Sequence, residues 1–271
     1  MWFCKDMMVS KRCCFMLFTT VIIVALDNCF IQCRRVKRVV GGTEVPCGAQ
    51  KQIVSVRNTT NNKHLCGGTI LSARITITAA HCVQQKPEDY VLLLNNYCTS
   101  DNETKPLAKV LDIITHPLYD KYSRAHDIAV LRLQLEAGDI MWLNDIRLPS
   151  SSFGISDILA AADLQLISLD LCTHLLGPYV APAYNSGMIC AIGESVDACQ
   201  GDSGGPLVCD GKIEGVCAYG LSCGVPGMPG VYVSIGAHLN WIRDVIREID
   251  SIVNNRISQR QLSHRPACRY H

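Results

Sequence analysis

The stretch DACQGDSGGP, residues 197–206, sets one serine, Ser203, among three glycines, two aspartates and a cysteine. Glycine lets a chain enter conformations that other residues avoid, and it lets a ligand come close to the backbone. A serine on such a turn is either an ordinary loop residue or a nucleophile. A hydroxyl attacks poorly at neutral pH, so the second reading needs a base and a carboxylate elsewhere in the chain. TAAHC, residues 78–82, ends a β-rich run and carries His81. HDIAVL, residues 126–131, opens another and carries Asp127. Singly, each is as readily a structural residue. Together, in the order His, Asp, Ser, they supply a base, a carboxylate to orient it and a nucleophile.

These three residues lie far apart in the chain, so a fold must bring them together. The chain has 271 residues, 48% of them apolar, enough for one large core or two small lobes. Its 25 basic and 24 acidic residues leave a net charge of +1, which gives no electrostatic footprint for a nucleic-acid partner. Sixteen cysteines point to an oxidising compartment, where disulfides persist. Lys5, Lys11 and Arg12 precede an apolar run over residues 13–26, which reads as a signal peptide ending near residue 28. The run is shorter than the roughly 20 residues a spanning helix needs. A signal anchor is the competing reading. Secretion to the extracellular space is the expected destination.

Short β-branched stretches (Ile75 to Thr78, Tyr90 to Leu94, His126 to Leu133, Val231 to Val233) lie between Gly, Asn and Pro clusters. There is no internal repeat and no alternation of strand and helix. Only the C-terminal part reads as helical, with Leu239, Ile242, Val245, Ile246 and Ile249 on one apolar face. Residues 254–271 read as a polar tail. Sequons stand at Asn58 and Asn102. The basic stretch ending RVKR at Arg38 is either an exposed loop or a cleavage site that makes Val39 a new N-terminus. DNETKPL, residues 101–107, has too poor a carboxylate pattern for a calcium loop. No metal and no cofactor are expected.

Five motifs in order, RVVGG, CGGTILSARITITAAHC, HDIAVLRL, GDSGGP and PGVYVSI, resemble the chymotrypsin-like serine proteases over about residues 39–252. The resemblance implies an all-β fold of two packed six-stranded antiparallel Greek-key barrels with a C-terminal helix. The domain order becomes a signal peptide to residue 28, a propeptide over 29–38, a protease domain over 39–253 and the tail. The triad would be His81, Asp127 and Ser203, with an oxyanion hole from the backbone N–H groups of Gly201 and Ser203. Asp202 would pair with the amine of Val39 after cleavage, and His64 would hold Asp202 before it. RVKR also suits a furin-like convertase. Asp197 would form the floor of a specificity pocket walled by Gly220 and Gly230, favouring Arg or Lys in the substrate. Cys66–Cys82, Cys172–Cys190 and Cys199–Cys223 fit family disulfides; Cys47 could pair with Cys98, and Cys217 and Cys268 have no assigned partner. The implied partners are protein or peptide substrates cut after Arg or Lys, an activating protease and serpin-type or other inhibitors. The protein would act as a monomer.

The resemblance breaks at one place. Residues 147–172 read RLPSSSFGISDILAAADLQLISLDLC, and the family's C-x-(apolar)-x-G-W-G stretch is missing. One strand of the second barrel is therefore expected to be lacking, and Cys209 to have lost its usual partner. Ala218 stands for a serine that hydrogen-bonds the triad aspartate, and Tyr219 for a tryptophan of the cleft. Ala198 beside Asp197 removes a pocket hydroxyl. Two functions follow: an active secreted endopeptidase made as a zymogen, or a weakly active or non-catalytic binding or regulatory protein of the same fold.

Overall fold

The computed structural model describes residues 43–44, 52–94, 107–134, 160–193, 202–209, 212–221, 225 and 227–263. Six strands close on themselves. They are β2 (Ile53–Asn58), β3 (His64–Ser72), β4 (Ile75–Thr78), β5 (Tyr90–Leu93), β6 (Leu107–Thr115) and β7 (Ala129–Gln134), in the order β2-β3-β4-β7-β6-β5 and antiparallel throughout. Closure leaves this barrel without an unpaired edge. Its interior is β-branched and aliphatic: Val54, Val56, Ile70, Ile75, Ile77, Leu92 and Leu131 are all buried. Register shifts at Val56/Arg57, Ile70/Ser72 and Val110/Asp112 supply the local bends that a small barrel needs to curl.

The second half is an open sheet. Strands β9 (Gln165–Ile167), β10 (Met188–Ile192), β11 (Pro206–Cys209), β12 (Lys212–Gly220) and β13 (Gly230–Ser234) lie in the order β11-β12-β13-β10-β9. A small separate pair joins β1 (Thr43–Glu44) to β8 (Ala160–Ala161). The architecture is thus a six-stranded barrel, a five-stranded partial barrel and a C-terminal helix, as the sequence implies. Among the described residues the sheet ends at β9 on one side and β11 on the other. Leu166 and Val208, on these two edges, are 46% and 41% exposed. These are the two strands that a sixth would join. Inserting a family-like C-x-V-x-G-W-G stretch near Ser150 should pair both edges. A gain of about 2–3 kcal/mol would raise the melting temperature by roughly 5–10 °C by calorimetry. An unchanged melt would mean that the edges are already satisfied.

Three local expectations need correction. The stretch from His126 does not begin as strand: β7 starts at Ala129, because His126 takes φ 52° and the N–H of Ile128 turns back to its carbonyl at 2.7 Å. A second helix, α1 (Leu169–Leu176), precedes β10. Ser168 caps it by accepting from the N–H of Leu171 at 3.2 Å, and Gly177 ends it at φ 76°. The C-terminal helix α2 (Ile235–Ser263) continues through the first part of the expected tail, where residues 254–263 contain no breaker. Its buried face is His238, Ile242, Val245 and Ile249; Leu239, expected there, is 37% exposed.

Candidate active site

His81 lies on a single helical turn, Ala80–Cys82, directly after β4. Ala79 and Ala80 are buried, and their small side chains let this turn tuck against the barrel. A disulfide from Cys82 to Cys66 on β3 fixes it. Closing a loop of this size is worth about 3 kcal/mol in the chain-entropy account. Asp127, fully buried between β6 and β7, accepts twice from His81. The backbone N–H of His81 donates to Oδ1 at 2.8 Å, and Nδ1 lies 2.6 Å from Oδ2. A carboxylate only accepts, so Nδ1 carries a proton, and in the neutral ring the lone pair is on Nε2.

Ser203 sits on the turn that leads into β11. The N–H of Gly205 donates to the carbonyl of Asp202 at 2.9 Å, and the turn is stitched to β12 by Gly204 N to Cys217 O and Cys217 N to Gly205 O. A further bond crosses to the barrel: the N–H of Gly67, beside Cys66, donates to the Ser203 carbonyl at 2.8 Å. The Ser203 backbone is thus tied one residue from the disulfide that anchors the His81 turn. The two glycines after Ser203 are closely packed by the chain itself. At Gly204, with φ 82°, a Cβ would lie 2.3 Å from both Gly67 O and Thr78 Oγ1, and a Cβ on Gly67 would lie 2.9 Å from Gly205 N. Among the described residues no hydrogen bond joins Ser203 to His81, and His81 Nε2 lies 3.7 Å from Cys82 Sγ. Such bonds often close only when substrate is bound.

Asp127 has a neighbour that the sequence did not announce. Arg124, at φ 60°, brings Nη1 to 3.6 Å from Asp127 Oδ2. The loop that carries it is fixed by Asp120, whose Oδ1 accepts from the N–H groups of Tyr122 and Ser123 at 2.9 and 2.7 Å. Where the family resemblance implies a serine hydroxyl on Asp127, this chain has Ala218, 2% exposed, and the guanidinium instead. Burial, and after it the Asp127 charge, push the Tyr219 phenol up to about 12, so it stays a neutral donor to Val180 O at 3.2 Å. Arg124 is partly exposed, so its charge is screened and worth about 1 kcal/mol. As a positioning residue, Arg124→Ala should lower kcat by about 3- to 10-fold with KM unchanged, and Arg124→Lys should restore most of it. A change confined to KM would contradict this role.

Gly220 and Gly230 are register partners at the ends of β12 and β13. Among the described residues, a Cβ on Gly220 would meet nothing within 4 Å. His64 Nδ1 lies 2.7 Å from the hydroxyl of Ser55. The disulfides Cys66–Cys82 and Cys172–Cys190 are both formed. Asn58 Oδ1 caps its own turn, accepting from the N–H of Thr60 at 2.9 Å. Arg38, Val39, Asp197, Gly201 and the Cys199–Cys223 pair lie outside the described residues, as do Cys47, Cys98, Cys268 and Asn102.

A buried Asp that orients a His from a closed antiparallel barrel, beside a Gly-flanked Ser turn from a second sheet, is the arrangement of chymotrypsin-like serine proteases. The trypsin family profile matches in two stretches, residues 39–152 and 136–242, and the break falls near the missing Gly-Trp-Gly segment. Trypsin beta of Drosophila erecta is 32% identical over 226 residues, covering 76% of this chain and 87% of its own length. Transmembrane protease serine 9 of Rattus norvegicus is 32% identical over 251 residues, covering 81% of this chain; the chain spans only 23% of that relative's length. The structure of neuropsin, a serine protease expressed in the limbic system of mouse brain, superposes with a TM-score of 0.62 at 28% identity, covering 76% of this chain and 99% of neuropsin's. The chain belongs to the trypsin family of serine proteases.

Proposed function

We propose that the protein is a secreted endopeptidase, made as a zymogen and cutting after Arg or Lys. The observation that carries the catalytic part is the doubly bonded His81–Asp127 pair, with Nε2 left as the base. Ser203 Oγ attacks the carbonyl carbon of the scissile bond and its proton passes to His81 Nε2. The tetrahedral oxyanion takes hydrogen bonds from the N–H groups of Gly201 and Ser203. Collapse breaks the C–N bond, and His81 returns the proton to the leaving amine. Water then repeats the sequence on the acyl-enzyme, releasing the acid and restoring Ser203. Formed disulfides agree with an oxidising destination.

The test is a covalent organophosphate on protein cleaved after Arg38. The label should enter the parent and not Ser203→Ala; no label in the cleaved parent would sink the catalytic reading. Activation has its own check. Arg38→Gln should be secreted whole and stay at background on an Arg substrate, because Val39 would have no free amine for Asp202. Equal rates from this variant and the cleaved parent would end the zymogen reading. A second reading, a weakly active or non-catalytic binding protein, is favoured by the second sheet, which among the described residues has five strands and ends at β9 and β11.

A further inference from the structure

Next to Asp127 in the chain, three histidines converge from three elements. His116 follows β6, His126 precedes Asp127, and His238 lies in the first turns of α2. Their candidate ligand nitrogens all lie within 4.8 Å of one another. We infer that His116, His126 and His238 form a binding site for a late first-row divalent cation, with Zn²⁺ the natural probe, and that the bound ion inhibits the enzyme through His126.

The ligand chemistry fits. The cluster holds three imidazoles and no carboxylate or thiol, a donor set that suits zinc, copper or nickel and not calcium or magnesium. His238 Nδ1 lies 2.7 Å from the carbonyl of Ser234. A carbonyl only accepts, so this nitrogen carries the proton and Nε2 offers a lone pair into the cluster. A backbone carbonyl on the distal nitrogen is the usual support of a metal-bound histidine. His238 Nε2 and His126 Nδ1 are 2.9 Å apart, joined by one proton. Two nitrogens on a tetrahedral zinc stand about 3.3 Å apart, given Zn–N near 2.0–2.1 Å. The pair therefore opens by less than half an ångström to admit the ion, while the proton on His126 Nδ1 moves to its Nε2. His116 must move more. Its Nδ1 accepts a long 3.3 Å bond from the N–H of Leu118, and its ring is stacked on His126 with centroids 4.9 Å apart, so it gives up that bond and turns.

One further observation favours an ion. Gly187, at φ 71°, leaves the pair uncovered: a Cβ there would lie 2.4 Å from His238 Cε1, 2.8 Å from His238 Nε2 and 3.1 Å from His126 Nδ1. Among the described residues the other such grouping, Cys66, His81 and Cys82, has both sulfurs in a disulfide and offers no thiolate.

The coupling to catalysis is covalent. His126 holds a left-handed backbone, φ 52°, rarely adopted by residues other than glycine, and its carbonyl takes the N–H of Ile128 across Asp127. A ring drawn toward the ion shifts this turn, and Asp127 with it. Misplacing a catalytic group by about 1 Å can cost about 100-fold in rate.

Binding is measured on full-length Ser203→Ala protein cleaved after Arg38, so it does not rest on the catalytic reading; inhibition does. One Zn²⁺ per chain should bind by calorimetry, Co²⁺ should give a visible spectrum of a low-coordinate nitrogen site, and Ca²⁺ and Mg²⁺ should do neither. His116→Gln, a half-buried change chosen to spare the fold, should weaken zinc affinity by at least about tenfold, the loss seen even for outer partners of metal ligands. On the protein with Ser203 intact, zinc should slow hydrolysis by about 10- to 100-fold, reversibly with a chelator, and His116→Gln should escape that inhibition with its basal rate kept. No saturable zinc binding, or binding and inhibition undiminished in His116→Gln, would overturn the proposal. His238→Gln gives an independent check: its buried place in α2 risks the fold, and a folded variant that still binds zinc as the parent does would likewise overturn it.

Discussion

Ser203→Ala, cleaved after Arg38, should fold as the parent does and hydrolyse an Arg substrate about 10⁶-fold more slowly, the loss seen when a triad enzyme loses its nucleophile. The fold should be indifferent because the hydrogen bonds described for this turn are made by its main chain. Gly67 N–H bonds to the Ser203 carbonyl, Gly204 and Gly205 bond to Cys217, and Gly205 bonds back to Asp202. None of these bonds uses the serine hydroxyl. The His81–Asp127 pair should survive too, since its two bonds are made within the barrel half. Residual hydrolysis above the solvent rate would measure the oxyanion donors and binding alone. Activity within tenfold of the parent would mean that hydrolysis in the preparation belongs to another nucleophile.

Asp197→Ser should lower kcat/KM on Arg and Lys substrates by about 10²–10³-fold and leave Leu substrates nearly untouched. The magnitude is that of burying a cation whose partner has been removed, about 3–5 kcal/mol. Of the residues in this expectation, Gly220 and Gly230 are register partners at the ends of β12 and β13; among the described residues nothing lies within 4 Å of a Cβ on Gly220, and a Cβ on Gly230 would meet the Tyr232 ring at 3.1 Å. Steady-state rates on matched Arg, Lys and Leu peptides decide the matter. Equal rates on Arg and Leu in the unmutated enzyme would remove the pocket carboxylate from the mechanism.

The pairing of His81 with Asp127 was foreshadowed in the sequence, where each of the three candidate residues carries its own local chemistry: two alanines before His81, an apolar run after Asp127, glycines around Ser203. The glycines illustrate what sequence withholds. Their presence marked the turn, but only the structure gives the reason at Gly204, a backbone that passes within touching distance of Gly67 and Thr78. Helix α1 carried a readable serine cap and a glycine stop, and it was missed because its apolar run is short and sits in a β-rich context. Arg124 and the three histidines were not legible at all. Arg124 reaches Asp127 through a left-handed turn, and His238 meets His126 across a gap of 112 positions in the chain. Nothing local marks such meetings. The expectation of no metal came from weighing one candidate calcium loop, residues 101–107. The histidine cluster contains no carboxylate.

The closed barrel and the open sheet give the two halves of the active site unequal lifetimes. His81 and Asp127 belong to a barrel in which every strand has two neighbours. Ser203 leads directly into β11, which among the described residues has one neighbour, β12. Amide protons on β11 and β9 should therefore exchange with solvent through small, frequent openings, while those on β4 and β7 wait for the whole barrel to unfold. On warming, the enzyme would lose its nucleophile's position first and regain it on cooling, with the base and its carboxylate waiting in place. Its working range would then be set by the stability of one sheet edge, well below the temperature at which the chain as a whole melts.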